Sequence, residues 1–281
     1  MPPLVDVRNV TVDYRLKAGG VHTVFKELSL TIQQGEFVCV VGETGCGKST
    51  LLKLLLGSEH PTRGTILING TPVLQPDRDR GYVPQKYSLF PDKTVLQNIA
   101  FGPISEASRP FCFLRPQWWR QRKQVYADAL QYMRHVGLSD RDARKYPDQI
   151  SGGMQQRVAI AQSLMLKPKI LLMDESFSAL DPNTRRAMQR LLRSIWAENK
   201  TTIVFVTHNL SEAVYLGTRV LQITQNGKLN CSEVSLDLLV PDYVRDAKGN
   251  PRQDEIDRII REIDLPVAEP ATPSEMVEVA S

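Results

Sequence analysis

Long apolar runs, clustered cysteines and an excess of charge of one sign are all missing from this sequence. The longest apolar stretches, Phe37 to Val41 and Ile170 to Met173, fall far short of the roughly 20 residues that a membrane-spanning helix needs. The chain also begins without a basic segment followed by an apolar one, so we expect no secretory signal. Any attachment to a membrane is therefore expected to run through partner proteins.

Cysteine and charge set two further limits. The 281 residues include four cysteines, which are scattered along the chain without the spacing of metal ligands. This usage excludes a disulfide framework and indicates a reducing, intracellular compartment. Lysine and arginine total 35 against 31 acidic residues, with no basic block, so the charge gives no indication of nucleic-acid binding.

What the sequence does contain is the patterning of an α/β domain. Apolar residues make up 42% of the chain, as is usual for a soluble core. Alternating apolar residues predict antiparallel strands at residues 4–14, 28–32 and 65–69. Apolar runs that are each followed by a loop and a helical pattern predict buried parallel strands at residues 36–41, 169–173 and 201–207. We expect a parallel sheet core with an antiparallel edge.

Helical periodicity fills much of the remainder. Helices are predicted at residues 124–136, 188–196 and 256–263. We expect a main domain over residues 1–230, a helical subdomain inserted in it at about 87–165, and a C-terminal extension over residues 231–265. Residues 266–281 combine prolines, small residues and acids without periodicity, and we expect them to be unstructured.

The most specific motif is GETGCGKST, which matches G-x-x-x-x-G-K-[ST] between an apolar strand and a helical run. Its glycines let backbone amides turn toward phosphate oxygens, the lysine reaches the terminal phosphates, and the first hydroxyl is expected to hold Mg²⁺. The alternative, an ordinary glycine-rich turn, does not account for the strand and helix around it. The motif leaves kinases, GTPases, helicases and transporters open. It predicts a nucleoside triphosphate site built from Gly42, Glu43, Thr44, Gly45, Cys46, Gly47, Lys48, Ser49 and Thr50.

A second motif, KILLMDES, ends a buried strand with two acids. Asp174 and Glu175 are therefore expected at the carboxyl edge of the sheet, where nucleotides bind in such folds. We expect Asp174 to hold Mg²⁺ and Glu175 to act as the general base that polarises the attacking water. A strand end whose acids merely cap the next turn is the alternative.

With the segment ISGGMQ, Ile150 to Gln155, the chain resembles the ATP-binding-cassette family, in which this is the signature motif. Ser151, Gly152 and Gly153 put a hydroxyl and open amides at a helix N-terminus, and the resemblance adds Gln155 to the nucleotide contacts. It also implies that this segment closes over ATP held by the phosphate loop of a second ATPase subunit, so that a dimer encloses two ATP molecules. A serine N-cap with a Gly-Gly turn would explain the residues locally.

Four further residues match the family in order along the chain. By resemblance, Tyr14 stacks on adenine, and Gln85 contacts Mg²⁺ or the attacking water. Asp181 resembles a residue of the loop that crosses the dimer interface, and His208 resembles the switch histidine that contacts the γ-phosphate. Each alone would be an ordinary surface or packing residue, and it is their common order that points to the family.

The resemblance implies an α/β P-loop NTPase fold with an antiparallel β subdomain and an inserted helical subdomain. Within the family, SGGMQQRVAIA and FVTHNLSEAV look like segments of the ATPases of nitrate, sulfonate and taurine importers. Such a subunit takes ATP and Mg²⁺ and lies at the cytoplasmic face of the cell membrane. It has transmembrane permease subunits as partners, an extracytoplasmic substrate-binding protein as an indirect partner, and no nucleic acid.

Two rival functions remain. A non-transport member of the family that acts in DNA repair or on ribosomes would need long heptad coiled coils or a second cassette, and the sequence has neither. A P-loop kinase or small GTPase would not require ISGGMQ, and the guanine-specifying N/T-K-x-D segment is absent from the sequence.

The sequence departs from the family at several places, of which Ser176 and an insertion before residue 124 bear on the site and the surface. Ser176 stands where the family usually has proline after the catalytic acid, and we expect a looser turn there. The insertion at about residues 104–123 has five basic residues and is longer and more aromatic than the family norm. It could lie against lipid headgroups or a transmembrane subunit, or it could be a solvated loop whose rings pack locally. Its aromatic residues are Phe111, Phe113, Trp118 and Trp119.

Overall fold

The computed structural model describes residues 2–16, 19–86, 89–107, 116–226, 231–246 and 249–264. Its strands are β1 (Val5–Arg15), β2 (Val21–Ile32), β3 (Phe37–Gly42), β4 (Arg63–Ile68), β5 (Thr71–Pro72), β6 (Arg80–Val83), β7 (Ile170–Asp174), β8 (Thr202–Val206), β9 (Arg219–Asn226) and β10 (Cys231–Leu239). Its α-helices are α1 (Lys48–Leu56), α2 (Val95–Ala107), α3 (Pro116–His135), α4 (Gly152–Leu164), α5 (Pro182–Asn199), α6 (Leu210–Leu216) and α7 (Gln253–Asp264).

The strands in the described part of the chain form a single ten-stranded sheet, in the order β5-β4-β1-β2-β10-β9-β3-β8-β7-β6. On one side, β9, β3, β8, β7 and β6 run parallel to one another. On the other, β1 pairs antiparallel with β2 and β4, and β4 pairs antiparallel with β5. The predicted parallel core and antiparallel edge are both confirmed, whereas β5, β6, β9 and β10 were not predicted.

The last strand lies inside the sheet. β10 pairs antiparallel with β9 along its whole length and meets β2 through a parallel bridge between Ser232 and Phe25. The boundary expected after residue 230 therefore falls between two paired strands of one sheet and is wrong as the start of an extension. Beyond β10, helix α7 packs against α6. The tail expected over residues 266–281 lies outside the described residues.

Side chains of the parallel strands alternate between two apolar cores, one on each face of the sheet. In β3, Phe37, Cys39 and Val41 belong to the core that α2 to α7 cover. Val38 and Val40 belong to the opposite core, which α1 and the antiparallel strands complete. Burial on both faces is the reason why the parallel strands have uninterrupted apolar sequences.

The predicted helices are confirmed with different ends. α3 begins at Pro116, eight residues before the predicted start at 124, and ends at His135. As a result, much of the described part of the insertion is helical, while its residues 108–115 lie outside the described residues. Helices α2, α3 and α4 pack together and are inserted in the chain between the neighbouring strands β6 and β7. None of the helices in these described segments is long and apolar enough to cross a membrane.

Candidate active site

Four loops converge at one edge of the sheet. The strands β3, β8, β7 and β6 are parallel neighbours, so their carboxyl ends lie side by side. The phosphate loop follows β3, His208 follows β8, Glu175 follows β7, and Gln85 follows β6. This is the edge at which ligands bind in open α/β sheets.

The phosphate loop wraps around the ammonium group of its own lysine. Lys48 Nζ donates hydrogen bonds to the carbonyl oxygens of Gly42 at 2.8 Å and Glu43 at 2.7 Å, and the residue is only 6% exposed. Gly45 and Gly47 have φ angles of 88° and 94°, in the left-handed region that favours glycine. The loop therefore encloses a fixed positive charge, which is what a phosphate group needs.

The helix after the loop adds backbone donors. α1 has Gly47 as its N-cap, and a glycine offers no side chain to bond the first amides of the helix. These amides and the positive end of the helix dipole are therefore available to an anion beside Lys48. Thr44 and Ser49 are exposed at this opening, and Thr50 is half-buried.

The cysteine of the loop is a packing residue. Cys46 is buried, and a Cβ added at Gly42 would lie 2.7 Å from its Sγ, so the two residues are in close contact. Burial raises the pKa of the Cys46 thiol. A protonated, enclosed thiol is a poor nucleophile and a poor metal ligand, so this side chain supports the shape of the loop.

The hydroxyl of Ser49, at the end of the loop, and the carboxylate of Asp174 lie together in an arrangement that suits Mg²⁺. Ser49 Oγ donates a 3.3 Å hydrogen bond to Asp174 Oδ1. Burial raises the pKa of the Asp174 carboxyl, and the hydrogen bond from Ser49 opposes that rise. Within the described residues, no group of three or more His, Cys, Asp and Glu side chains could hold a metal by itself. A hydroxyl and one carboxylate fit a cation that completes its coordination with substrate phosphates and water, as Mg²⁺ does.

The three residues predicted to be catalytic lie together. The side chains of Gln85 and His208 both approach one carboxylate oxygen of Glu175. Gln85 Nε2 donates to Glu175 Oε2 at 3.4 Å, and His208 Nδ1 lies 3.7 Å from the same oxygen. The φ angle of Glu175 is 40°, and its amide donates to the carbonyl of Val206 at the end of β8. The His208 side chain is 63% exposed, so it stands at the open side of this cluster.

Ser176, at which a looser turn was expected, has a hydrogen-bond partner in a neighbouring strand. The residue is buried, and its Oγ donates a 3.3 Å hydrogen bond to the carbonyl oxygen of Val83 in β6. β6 leads directly to Gln85, so this bond ties the turn that carries Glu175 to the strand that carries Gln85. The sequence around Ser176 could not predict this bond, because the residue is buried and its acceptor is a backbone group far away in the chain.

A buried carboxylate shapes the turn at His208. Glu212 accepts a 2.6 Å hydrogen bond from Thr207 Oγ1 and a 2.8 Å hydrogen bond from Gln189 Nε2, so both of its oxygens have partners. Asn209 caps α6 by accepting from the Glu212 amide. Sequence reasoning missed these residues because isolated polar residues in a helical pattern form no motif.

The signature segment is built on the N-terminus of α4. Ser151 is the N-cap, and its Oγ accepts from the Met154 amide at 3.3 Å. Gln155 Nε2 donates to the carbonyl oxygens of Pro147 at 2.7 Å and Ile150 at 3.3 Å, so its side chain braces the segment. Gly152 and Gly153 form the first turn of the helix between these two supports.

Gly153 brings the signature segment against α5. A Cβ at this position would lie 2.5 Å from Thr184 Cγ2, closer than real contacts allow. The backbone amide of Thr184 donates to Asp181, and hydrogen bonds from Thr184 lower the pKa of this carboxyl. Asp181 is also the N-cap of α5. Thr184 thus connects the signature segment to the SALD loop, which comprises residues 178–181.

Arg185 holds the SALD loop in shape, and sequence reasoning missed it. Its guanidinium donates to the carbonyl oxygens of Phe177 at 3.1 Å, Ser178 at 3.2 Å and Leu180 at 3.0 Å. An arginine in a basic helix gives no indication of such a role, because its acceptors are backbone groups.

Tyr14 lies beside the start of α1. Its hydroxyl forms a hydrogen bond with Glu59, and it also interacts with the Thr50 side chain. Burial raises the pKa of this phenol. The ring is therefore fixed near the phosphate loop, at the side of the antiparallel strands.

The predicted residues thus fall into two groups. The phosphate loop, Asp174, Glu175, Gln85 and His208 form one group at the sheet edge. Within the described residues, no hydrogen bond or ion pair joins Ser151 to Gln155 with the phosphate loop. One chain therefore carries two glycine-containing helix starts that it does not bring together.

Comparison with known proteins agrees with this arrangement. The family model described as ABC transporter matches residues 25–178. The nitrate import ATP-binding protein NrtD of Synechococcus elongatus is 41% identical over 215 residues, which cover 76% of this chain and 74% of NrtD. The bicarbonate transport ATP-binding protein CmpD of Synechocystis sp. is 36% identical over 228 residues, which cover 81% of this chain and 77% of CmpD.

Solved structures give the same result. The dimeric post-hydrolysis structure of the ATP-binding cassette MJ0796, bound to ADP and Pi, is 31% identical with a TM-score of 0.69 and covers 84% of this chain and 99% of its own. The structure of cbiO1 from Clostridium perfringens, at 22% identity and a TM-score of 0.69, covers 95% of this chain and 96% of its own and supports the fold. The chain belongs to the ABC transporter family, and it is an ATP-binding cassette that hydrolyses ATP.

Proposed function

We propose that this chain is the ATPase subunit of an ABC importer that moves a small solute, of the nitrate, bicarbonate, sulfonate or taurine type, through separate permease subunits. The observation that carries the catalytic part is the convergence of Gln85 and His208 on one oxygen of Glu175, next to the phosphate loop. Similarity to NrtD and CmpD over three quarters of the chain or more supports the importer part.

Each residue of the site has a role that its position supports. Lys48 and the first amides of α1 bind the β- and γ-phosphates of ATP. Glu175 accepts a proton from the attacking water, while Gln85 and His208 hold that water and the γ-phosphate in line. Mg²⁺, held by Ser49 and Asp174, would neutralise charge that develops on the phosphate oxygens.

The helix start at the signature segment supports a dimeric mechanism. The signature segment offers a hydroxyl and amides at a helix N-terminus without a cation of its own, so it is suited to an ATP molecule that another subunit already holds. Asp181 and the SALD loop adjoin this segment through Thr184 and would lie at the same subunit boundary. Tyr14 would stack on the adenine ring.

The assembly follows from these roles. Helices α2 to α4, within residues 87–165, would form a helical subdomain that contacts the permease subunits. The ATPase would then sit at the cytoplasmic face of the cell membrane through those subunits. An extracytoplasmic binding protein would deliver the solute, and this chain would not touch it.

Replacing Glu175 with Gln tests the catalytic part. The amide keeps the size of the side chain and removes the base, so we expect hydrolysis to be lost while a dimer with trapped ATP accumulates in the presence of Mg²⁺. Glu198→Gln, an exposed glutamate at the end of α5, is the matched control and should hydrolyse ATP normally. Undiminished turnover by Glu175→Gln without dimers would contradict the mechanism.

Reconstitution with the co-purified permease subunits tests the importer part. Vesicles that contain the complex, supplied with the extracytoplasmic binding protein, should take up one of these solutes in an ATP-dependent manner, and complexes with Glu175→Gln should not. If the chain were fully active as an ATPase and no permease subunits co-purified with it, the result would point instead to a non-transport member of the family.

A further inference from the structure

Helix α3 extends well beyond the core that anchors it. The helix runs over Pro116–His135, and its buried residues, Ala129 and Met133, are both in its second half. At 1.5 Å per residue, residues 116–124 form an overhang of about 13 Å. The packing of the core therefore does not account for the choice of residues at this end of the helix.

The overhang carries an ordered cluster of aromatic rings around one guanidinium. The rings of Trp118 and Trp119 pack edge to face with centroids 4.8 Å apart. Arg122 lies 5.3 and 5.7 Å from the centroids of these two rings and 5.6 Å from that of Tyr126. Such cation–π contacts hold the rings in place before any partner arrives. Even so, Trp119 is 54% exposed, which is unusual for the largest apolar side chain.

The charge around these rings is of one sign. The sequence has no acidic residue between Glu106 and Asp128. Arg120 and Lys123 are exposed, and neither has an ion pair with another described residue. The overhang is therefore a cationic surface in which Trp119 is exposed and Trp118 and Arg122 are half-buried.

This chemistry fits a lipid surface better than a protein surface. Tryptophan and arginine or lysine together are typical of elements that lie at the membrane–water interface, where the indole sits at headgroup level and the long basic side chains reach the phosphates. Protein interfaces are also enriched in tryptophan and arginine but are depleted of lysine, so Lys123 and the absence of acidic residues nearby are what favour lipid over protein. Anionic lipids also attract unpaired basic groups of this kind.

We propose that the α3 basic-aromatic face, formed by Trp118, Trp119, Arg120, Arg122 and Lys123, binds the surface of a bilayer that contains anionic lipid. The two indoles enter the headgroup layer, and Arg120 and Lys123 pair with lipid phosphates. This contact is peripheral and is made by the ATPase itself. It does not depend on the proposed transport function, because it can be measured with the isolated full chain.

Sedimentation with vesicles tests the charge requirement. The chain should bind vesicles of phosphatidylglycerol and phosphatidylcholine, bind phosphatidylcholine alone far more weakly, and be released by salt. Arg120→Gln with Lys123→Gln should lower partitioning about 30-fold, since each basic group near an anionic surface contributes a factor of about five. Arg186→Gln with Arg190→Gln removes the same charge from exposed positions of α5 and should change little. Equal losses in both double variants would overturn the proposal.

Tryptophan fluorescence tests the indoles directly. The chain has three tryptophans, and the third, Trp196, is buried with its Nε1 donating to the carbonyl oxygen of Gly35. Quenching by vesicles with brominated lipids should therefore report on Trp118 and Trp119. Trp118→Ala with Trp119→Ala should abolish both quenching and sedimentation while ATP hydrolysis in solution persists.

A control variant and a test for a protein partner complete the experiment. Leu74→Ala with Tyr243→Ala removes two other exposed apolar side chains and should leave vesicle binding intact. Failure of the wild type to bind anionic vesicles would overturn the proposal. If the tryptophan variant then also failed to co-purify with permease subunits, the face would belong to a protein partner.

Discussion

Two helices of this chain begin at glycine-containing phosphate motifs, and they begin in opposite ways. The N-cap of α1 is Gly47, in the left-handed region with φ 94°, and Lys48 follows it. The N-cap of α4 is Ser151, in an extended conformation, and its own hydroxyl accepts from the third amide of the helix. The first helix start is open and charged, whereas the second is closed by its own side chain and has no cation.

The difference explains why one chain carries both. An open helix end with a buried ammonium can hold a phosphate by itself, because charge-assisted hydrogen bonds are the strong ones. A capped helix end without a cation has little affinity for a free anion. It can still add donors to a phosphate that is already bound, so α4 is suited to complete a site and α1 to create one.

The largest expected effect is on the affinity for ATP, which should depend on the start of α1 and not on the start of α4. Lys48→Ala removes charge-assisted bonds to the phosphates, and the Kd of the isolated chain for ATP should rise about 10- to 150-fold, the equivalent of about 1.5–3 kcal/mol. Ser151→Ala should leave this Kd unchanged and lower only hydrolysis by the dimer. Calorimetric titration with ATP measures the first quantity. Equal weakening by the two substitutions would contradict the comparison.

Glycines in the two motifs are required for different reasons. Gly153 needs space, since a Cβ there would lie 2.5 Å from Thr184 Cγ2. Gly45 has open space, with no heavy atom within 4 Å of an added Cβ, but its φ is 88°. Gly153→Ala should destabilise the fold by about 1–3 kcal/mol through overpacking, and Gly45→Ala by about 1–2 kcal/mol through backbone strain. Urea unfolding of each variant measures these values.

A second substitution distinguishes the two causes. Thr184→Ser removes the methyl group that Gly153→Ala would contact and keeps the hydroxyl near Asp181. It should restore much of the stability of Gly153→Ala and none of that of Gly45→Ala. If both glycine variants responded alike to Thr184→Ser, the steric explanation for Gly153 would be wrong.

The N-cap of α5 gives a smaller, pH-dependent effect. Hydrogen bonds from Thr184 hold the pKa of the Asp181 carboxyl below its usual range. Since the folded pKa lies below the unfolded value of about 4, the cap stabilises the protein above that pH and is lost as the pH falls through the folded pKa. Asp181→Ala should lower the midpoint of thermal unfolding at neutral pH by about 2–4 °C, and the difference from wild type should shrink in acid. An unchanged difference at low pH would show that the carboxylate is not the cap.

Parts of the molecule with local signals could be predicted from the sequence. β3, β7 and β8 are buried on both faces, so each gives an apolar run, and the phosphate loop and the acids follow directly. In β10 only the first two residues are buried. It pairs with the preceding strand β9 and, through one bridge, with β2, which is far away in sequence. Val234, Leu236 and Leu238 alternate with polar residues, which is the pattern of a half-buried strand, and the prediction of an extension overlooked it.

Contacts to backbone groups were beyond prediction for a different reason. Arg185, Ser176 and Thr184 act on carbonyl groups or on a glycine that are brought near them by folding. Any residue type has a carbonyl, so the sequence holds no complementary pattern to search for. The prediction of a looser turn at Ser176 took into account only the missing proline. It overlooked the carbonyl acceptor that the serine hydroxyl finds in a neighbouring strand.

The smallest expected effect is that of Ser176, whose hydroxyl is expected to stabilise the turn that carries Glu175 as the hydroxyl of Ser151 stabilises α4. Ser176→Ala removes the bond to Val83 O, and we expect a loss of about 0.5–1.5 kcal/mol in stability and a few-fold fall in kcat, with the affinity for ATP unchanged. Ser194→Ala, which removes a hydroxyl bond to a carbonyl within its own helix, is the control and should not change kcat. Ser176→Pro separates the two explanations: if the tie to β6 positions Glu175, proline should lower kcat as alanine does, whereas full activity of the proline variant would show that rigidity of the turn is enough.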